Sequence, residues 1–224
     1  MGEITLEQQL KKMRDDWDER ARENARYYVA TGSAEWTDEE FFASGEKTVA
    51  EEILTDMGNI CQGKPPGEMR VLEIGCGAAR VTRALAKLFG EVHAVDVSGE
   101  MVKQAKDGLR DFPNAFVYQN NGTDLSVVPE QPFDFAFSSI VFQHIPSRDV
   151  ILQYVCEVHR LLRPGALFKF QVQGCVGGDS ADDTWLGVCF SEREADEMAH
   201  RCGFEPRYKH GAGEQYFWLW FFRR

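Results

Sequence analysis

Positive charge is scarce in this chain: 25 Lys and Arg stand against 36 Asp and Glu, a formal net charge of −11. A basic groove for nucleic acid is therefore not expected, and the same sign disfavours anionic membrane surfaces. No window approaches the run of about 18 apolar residues that a bilayer span requires. The six cysteines, at 61, 76, 156, 175, 189 and 202, include no C-x-x-C pair. Neither a zinc ribbon nor a dense disulfide scaffold fits that spacing, and reduced thiols in a cytoplasmic protein are the expectation. The opening MGEITLEQQLKKMRDDWDER has no apolar core of a secretory signal, and Leu6 stands where myristoylation wants Ser or Thr. No Gly-Lys-Ser or Gly-Lys-Thr phosphate loop occurs.

What is present reads as one compact domain. The chain has 224 residues, 43% of them hydrophobic and 27% charged, which is enough to bury a core without staples. Leu6, Leu10, Met13, Trp17 and Ala21 recur at helical spacing and predict a helix over 5–30. Residues 34–45 read as a loop or short helical turn, and 46–61 as a second helix. Past Lys64-Pro65-Pro66-Gly67 the pattern changes to short β-branched or aromatic runs alternating with helices. The strands fall at 70–74, 92–96, 115–118, 133–137 and 167–172, the helices at 79–89, 99–110 and 147–162. Such alternation predicts βαβ units and a parallel sheet covered on both faces. After a helix at 191–202, strands at 204–209 and 214–222 have only four residues between them. That length joins antiparallel neighbours and cannot make a crossover. The last of these strands has aromatics on both alternating faces, as an interior strand does.

The sharpest local signal is Val71-Leu72-Glu73-Ile74-Gly75-Cys76-Gly77-Ala78-Ala79-Arg80. A strand enters a Gly-x-Gly turn and a helix leaves it, so backbone N–H groups and a helix N-terminus face a ligand. Asp96 closes the second strand, where an acid can accept ribose hydroxyls. A dinucleotide site wants a third glycine where Arg80 stands.

Glu73-x-Gly75-x-Gly77 with Asp96, the Phe133-Asp134 strand, and Leu162-Arg163-Pro164-Gly165-Ala166 before the fifth strand resemble the class I S-adenosylmethionine-dependent methyltransferases. The resemblance covers about residues 46–224, with Ala79 in place of a family glycine. It implies an α/β fold, doubly wound, with a mostly parallel seven-stranded sheet, a C-terminal antiparallel hairpin strand, helices on both faces and an N-terminal helical lid. Residues 1–45 would be the lid segment and 46–224 the Rossmann-like core of a single domain. The implied cofactor is S-adenosyl-L-methionine, with S-adenosyl-L-homocysteine as product.

The resemblance assigns Glu73, Gly75, Cys76, Gly77 and Arg80 to the cofactor turn, Asp96 to the ribose, and Val97, Ser98 and Met101 to the adenine surroundings. Asn121 with Gly122, or alternatively Asp124, would meet the adenine amino group. Ser138 and the following stretch through Gln143 and His144 would line the transfer site. His144 is either a base for an acceptor hydroxyl or amine, or a cap on the turn before Pro146. Tyr27, Tyr28 and Trp36 are read as lid aromatics able to cap a cation, and Trp185 as part of a second lid after a Gly-rich acidic loop at 174–183. No metal site is indicated.

The expected activity is methyl transfer to a small molecule, at oxygen or nitrogen, by in-line attack. Its rivals are a non-catalytic cofactor-binding subunit of the same fold, a nicotinamide-dependent reductase, and a thiol-using methylase in which Cys61, Cys175 and Cys189 converge. The expected partner is a small-molecule substrate, without nucleic acid or membrane, in a cytoplasmic monomer or weak homodimer.

Overall fold

The computed structural model describes residues 5–174 and 184–224. Cys175 and the acidic stretch through Asp183 lie outside the described residues. Five parallel strands form the centre: β1 (Arg70–Ile74), β2 (Glu91–Asp96), β3 (Ala115–Gln119), β4 (Phe133–Ser138) and β5 (Leu162–Gly174). Two more strands, β7 (Phe204–His210) and β8 (Phe217–Arg223), form the closing hairpin, and β8 inserts antiparallel between β5 and β7. The order is β3-β2-β1-β4-β5-β8-β7, so the tail strand is interior as its two-sided aromatics require. A short strand absent from the sequence reading, β6 (Cys189–Phe190), pairs with the end of β5.

Helices α6 (Arg148–Leu161) and α7 (Glu192–Arg201) bury one face of the sheet. The other face is covered by α2 (Asp38–Glu52), α3 (Met57–Cys61) and α4 (Thr82–Leu88). Helix α5 (Gly99–Gly108) packs beside β2 and β3. The strand order reverses at β1, between β2 and β4. A crevice opens at the carboxyl ends of such strands.

Four local readings are corrected. The stretch read as a loop or short helical turn over 34–45 is the start of a full helix from Asp38, because Thr37 and Glu40 form a capping box with reciprocal bonds of 3.2 and 3.1 Å. The single helix read over 46–61 breaks at fully buried Ile53 into a 3₁₀ turn, Leu54–Asp56, and α3. The helix after the glycine turn starts at Thr82 rather than 79, since Ala79 sits in the left-handed region at φ 65° and adds a further turn. Finally, Cys156 of α6 and Cys202, just past α7, form a disulfide across a Cα–Cα distance of 4.7 Å. Their separation of 46 residues carries no spacing signature. Cys61 and Cys76 are buried free thiols, and Cys189 is buried as well.

The first helix, α1 (Leu6–Val29), agrees with the sequence reading except for a kink at Asn24, whose backbone leaves the helix at φ −165°, ψ 82°. The Asn24 side chain restarts the helix by accepting the Tyr27 N–H at 3.1 Å and is tied to the Ala34 carbonyl at 2.9 Å. Among the described residues, no helix is long and apolar enough to cross a membrane.

Candidate active site

The ends of β1, β2 and β4, capped by α1, enclose a cavity of about 90 Å³. Its floor is the glycine turn. Gly75 and Gly77 take φ values of 74° and 52°, a region that side chains avoid. A Cβ on Gly75 would come within 2.3 Å of a Val141 methyl carbon, and one on Gly77 within 2.6 Å of a Val29 methyl carbon. The two glycines thus present bare backbone under a close roof.

Asp96 holds the turn in place. One carboxylate oxygen accepts the Gly77 N–H at 2.8 Å and the other the Ser98 N–H at 2.9 Å. The group keeps some surface toward the cavity, yet loss of water raises its pKa to about 6, with Asp18 adding repulsion. Glu73 is more deeply buried, and desolvation pushes its pKa up to about 7. Its Oε2 makes no hydrogen bond of normal geometry, although the neighbouring Thr82 hydroxyl and Arg80 guanidinium offset part of that rise. A buried acceptor without a partner beside an enclosed cavity matches a ligand that brings its own donor, such as an ammonium group.

Of the residues expected from the sequence, Glu73, Gly75, Cys76, Gly77, Arg80, Asp96, Val97, Met101, Tyr28 and His144 line this cavity together. The Arg80 Nη1 is directed elsewhere, to the Ser44 carbonyl and the Thr48 hydroxyl of α2, both at 2.9 Å. Ser98 lies behind the wall as the N-cap of α5, its hydroxyl donating to Asp18 at 2.6 Å. Ser138 is wholly buried and bonds the Ile74 carbonyl at 2.9 Å. Asn121 is exposed and organises its own loop, bonding the Asp124 carboxylate and accepting the Thr123 and Asp124 N–H groups. Its neighbour Asn120 lines the cavity instead, and Gly122 packs under Leu10 and Met13. Tyr27 stacks edge-on against Tyr28, while Trp36 bonds the Ala30 carbonyl and packs on Phe41 away from the cavity.

Helix α1 contributes residues that the sequence reading did not assign to the site individually. Met13, Trp17 and Val29 line the cavity alongside Tyr28. Trp17 meets the His144 ring at 5.3 Å, and Trp185 sits behind both, 5.2 Å from His144 and 5.9 Å from Tyr28. Arg20 stacks on Trp17 at 4.8 Å and Trp185 at 5.4 Å, and it bonds the Thr184 carbonyl. Asp16 accepts the Thr184 hydroxyl at 2.6 Å. The helix and the 184–188 segment are therefore clasped to each other over the end of the cavity lined by Trp17, Tyr28 and His144. Among the described residues, no group of three or more His, Cys, Asp or Glu side chains could hold a metal ion.

A family model described as a methyltransferase domain matches residues 71–165. The chain is 31% identical over 97 residues to the ubiquinone biosynthesis O-methyltransferase of Xanthomonas oryzae pv. oryzae, covering 43% of this chain and 39% of the relative. It is also 31% identical over 140 residues to the malonyl-[acyl-carrier protein] O-methyltransferase of Salmonella typhimurium, covering 61% and 49%. The chain thus spans less than half the length of these curated relatives. The fold is shared with magnesium protoporphyrin IX methyltransferase of Synechocystis PCC 6803, solved with bound S-adenosylmethionine, at a TM-score of 0.68 and 15% identity over the whole of both chains. Residues 71–165 thus match a methyltransferase domain, and the strand order with its inserted antiparallel strand is a fold shared with S-adenosylmethionine-dependent methyltransferases.

Proposed function

We propose that the protein transfers a methyl group from S-adenosylmethionine to the oxygen or nitrogen of a small-molecule acceptor. The observation that carries this reading is the unpartnered, buried Glu73 Oε2 beside the glycine turn that Asp96 holds through the Gly77 N–H. Glu73 offers an anionic acceptor for an ammonium group. Asp96 keeps lone pairs for hydroxyls beyond the two N–H groups it already accepts. Val97 and Met101 supply an apolar wall, and Asn120 a polar group at its edge. When bound, S-adenosylmethionine supplies a methyl group already activated on a sulfonium. The protein's task is then alignment and exclusion of water. Trp17, Tyr28 and Ile140 exclude water at the acceptor end, and His144, whose ring nitrogens face Gln143 Nε2 and the Trp185 carbonyl, holds that wall in place.

The names of the curated relatives support a hydroxyl acceptor. The first 45 residues serve as a lid on a single domain, because α1 both walls the cavity and spans it. A monomer or weak dimer completes the reading. Calorimetry tests it: S-adenosylhomocysteine and S-adenosylmethionine should release or absorb heat on binding and NAD should not. Binding of NAD alone would overturn it.

A further inference from the structure

The charged side chains that line the cavity, Glu73, Arg80 and Asp96, belong to the glycine turn and the strand ends beside it. Trp17, Tyr28, Ile140 and His144 line it with rings and an aliphatic group. A positive charge nevertheless stands behind that wall. The Arg20 guanidinium stacks on the Trp17 ring at 4.8 Å and on the Trp185 ring at 5.4 Å, yet Arg20 does not itself line the cavity. Trp17 does, so its ring separates the charge from the space.

That charge has no paired counter-ion. Among the described residues, Arg20 makes one hydrogen bond, to the neutral Thr184 carbonyl at 3.3 Å, and no ion pair. Asp16 feels the Arg20 charge from beyond ion-pair distance, and its own partners are Lys12 and the Thr184 hydroxyl, both at 2.6 Å. Glu23 accepts the Tyr28 hydroxyl at 2.7 Å. In a chain of net charge −11, the overall field favours a cationic ligand. Arg20 opposes that field at this wall.

We infer that Arg20 is a specificity-determining residue that bars cationic acceptors and leaves an uncharged hydroxyl compound with an aromatic or apolar body as the acceptor. The inference rests on the methyl-transfer reading above, which makes the Trp17 end the acceptor's place. An aromatic face attracts a cation through its negative quadrupole, but Arg20 already covers one face of Trp17. A second cation in the cavity against that ring would lie about 9–10 Å from the first, and at an effective dielectric of about 20 the repulsion costs on the order of tenfold in Kd. Aliphatic amines meet this barrier because they are protonated at neutral pH, whereas alcohols and phenols arrive uncharged. An anion gains little in exchange, since the Arg20 N–H groups do not reach the cavity to replace its lost water.

Benzyl alcohol and benzylamine test this, because they share a shape and differ in charge. Each is titrated at neutral pH into protein saturated with S-adenosylhomocysteine. The wild type should bind the alcohol about tenfold more tightly than the amine. Arg20→Gln should bring the two Kd values within about threefold of each other, and Arg20→Lys, which keeps the charge, should retain most of the preference. A wild type that binds the amine as tightly as the alcohol, or binds neither, overturns the inference. So does an unchanged preference in folded Arg20→Gln, or an equal loss of both ligands in both variants, which would make Arg20 a clasp on Thr184 alone. Failure of both variants to fold has the same meaning. If S-adenosylhomocysteine does not bind the wild type, the methyl-transfer reading fails, while the alcohol-to-amine ratio in the unloaded protein still judges the selectivity that Arg20 confers.

Discussion

Asp18 and Ser98 are 80 positions apart in the chain, and the Ser98 hydroxyl donates to the Asp18 carboxylate at 2.6 Å. The same Asp18 oxygen accepts the Glu100 N–H at 3.2 Å. A carboxylate of α1 thereby caps α5, directly behind the strand end that carries Asp96. Asp18→Ala should ease detachment of residues 6–23 about the Asn24 kink by roughly 1.5–3 kcal/mol, the worth of hydrogen bonds to a charged group. Hydrogen exchange checks it: amides of 6–23 should exchange faster while those of β1, β4 and β5 hold. Equal protection across α1 in the variant would show that its apolar contacts alone keep it closed.

Asp96→Ala should weaken S-adenosylhomocysteine by about 2–4 kcal/mol, through loss of charge-assisted bonds to ligand hydroxyls. It should also lower the unfolding temperature, because the Gly77 and Ser98 N–H groups lose their acceptor. Titration calorimetry and thermal unfolding together decide this. An unchanged Kd in a folded variant would place the ribose elsewhere.

Glu73 makes the protein pH-sensitive in a stated direction. Burial raises its pKa from 4.5 to about 7 in the folded state. The folded chain therefore retains a proton that the unfolded chain has released, and stability from this group declines as pH rises from about 4.5 to about 7. A ligand that brings an ammonium prefers the ionised carboxylate. Affinity for S-adenosylmethionine should accordingly rise with pH, by at most about tenfold per unit below 7, then level off, with proton release on binding. Glu73→Gln should flatten the profile; a slope that survives the substitution would assign it to another group.

Gly45 joins α2 to the cofactor turn. A Cβ there would lie 1.8 Å from the Arg80 carbonyl oxygen, and neither backbone can yield as a side chain would. Gly45→Ala favours the helix intrinsically by about 1 kcal/mol. The overpacking nevertheless should prevail by about 1–3 kcal/mol, read as a lower denaturation midpoint. A neutral or stabilised variant would show that α2 can slide along α4.

The central turn was legible because glycines, a strand-end acid and a following helix occupy a spacing that few other structures need. The lid residues were less so. Met13 and Trp17 lie on an apolar helical stripe, and such a stripe looks the same whether it covers a sheet or roofs a cavity. Asn120 and Asn121 differ by one position, and one position at a strand end turns a side chain from one face to the other; the sequence reading offered Asn121 with Gly122, or Asp124, while Asn120 faces the cavity. The start of α2 was available in Thr37-Asp38-Glu39-Glu40, a capping box hidden by the aromatics that follow.

The Cys156–Cys202 bridge closes a covalent ring across a 46-residue separation. Strand β5 and the Trp185 carbonyl that holds His144 both lie inside that ring. If the molecule is pulled from its two ends, the load bypasses this stretch through the sulfurs. An extended span of about 150–165 Å, at about 3.3–3.6 Å per residue, is withheld from the final length until the bond is reduced. The wall that orients His144 is thus topologically sheltered, whereas α1, which roofs the same cavity, lies directly in the path of any force on the amino terminus.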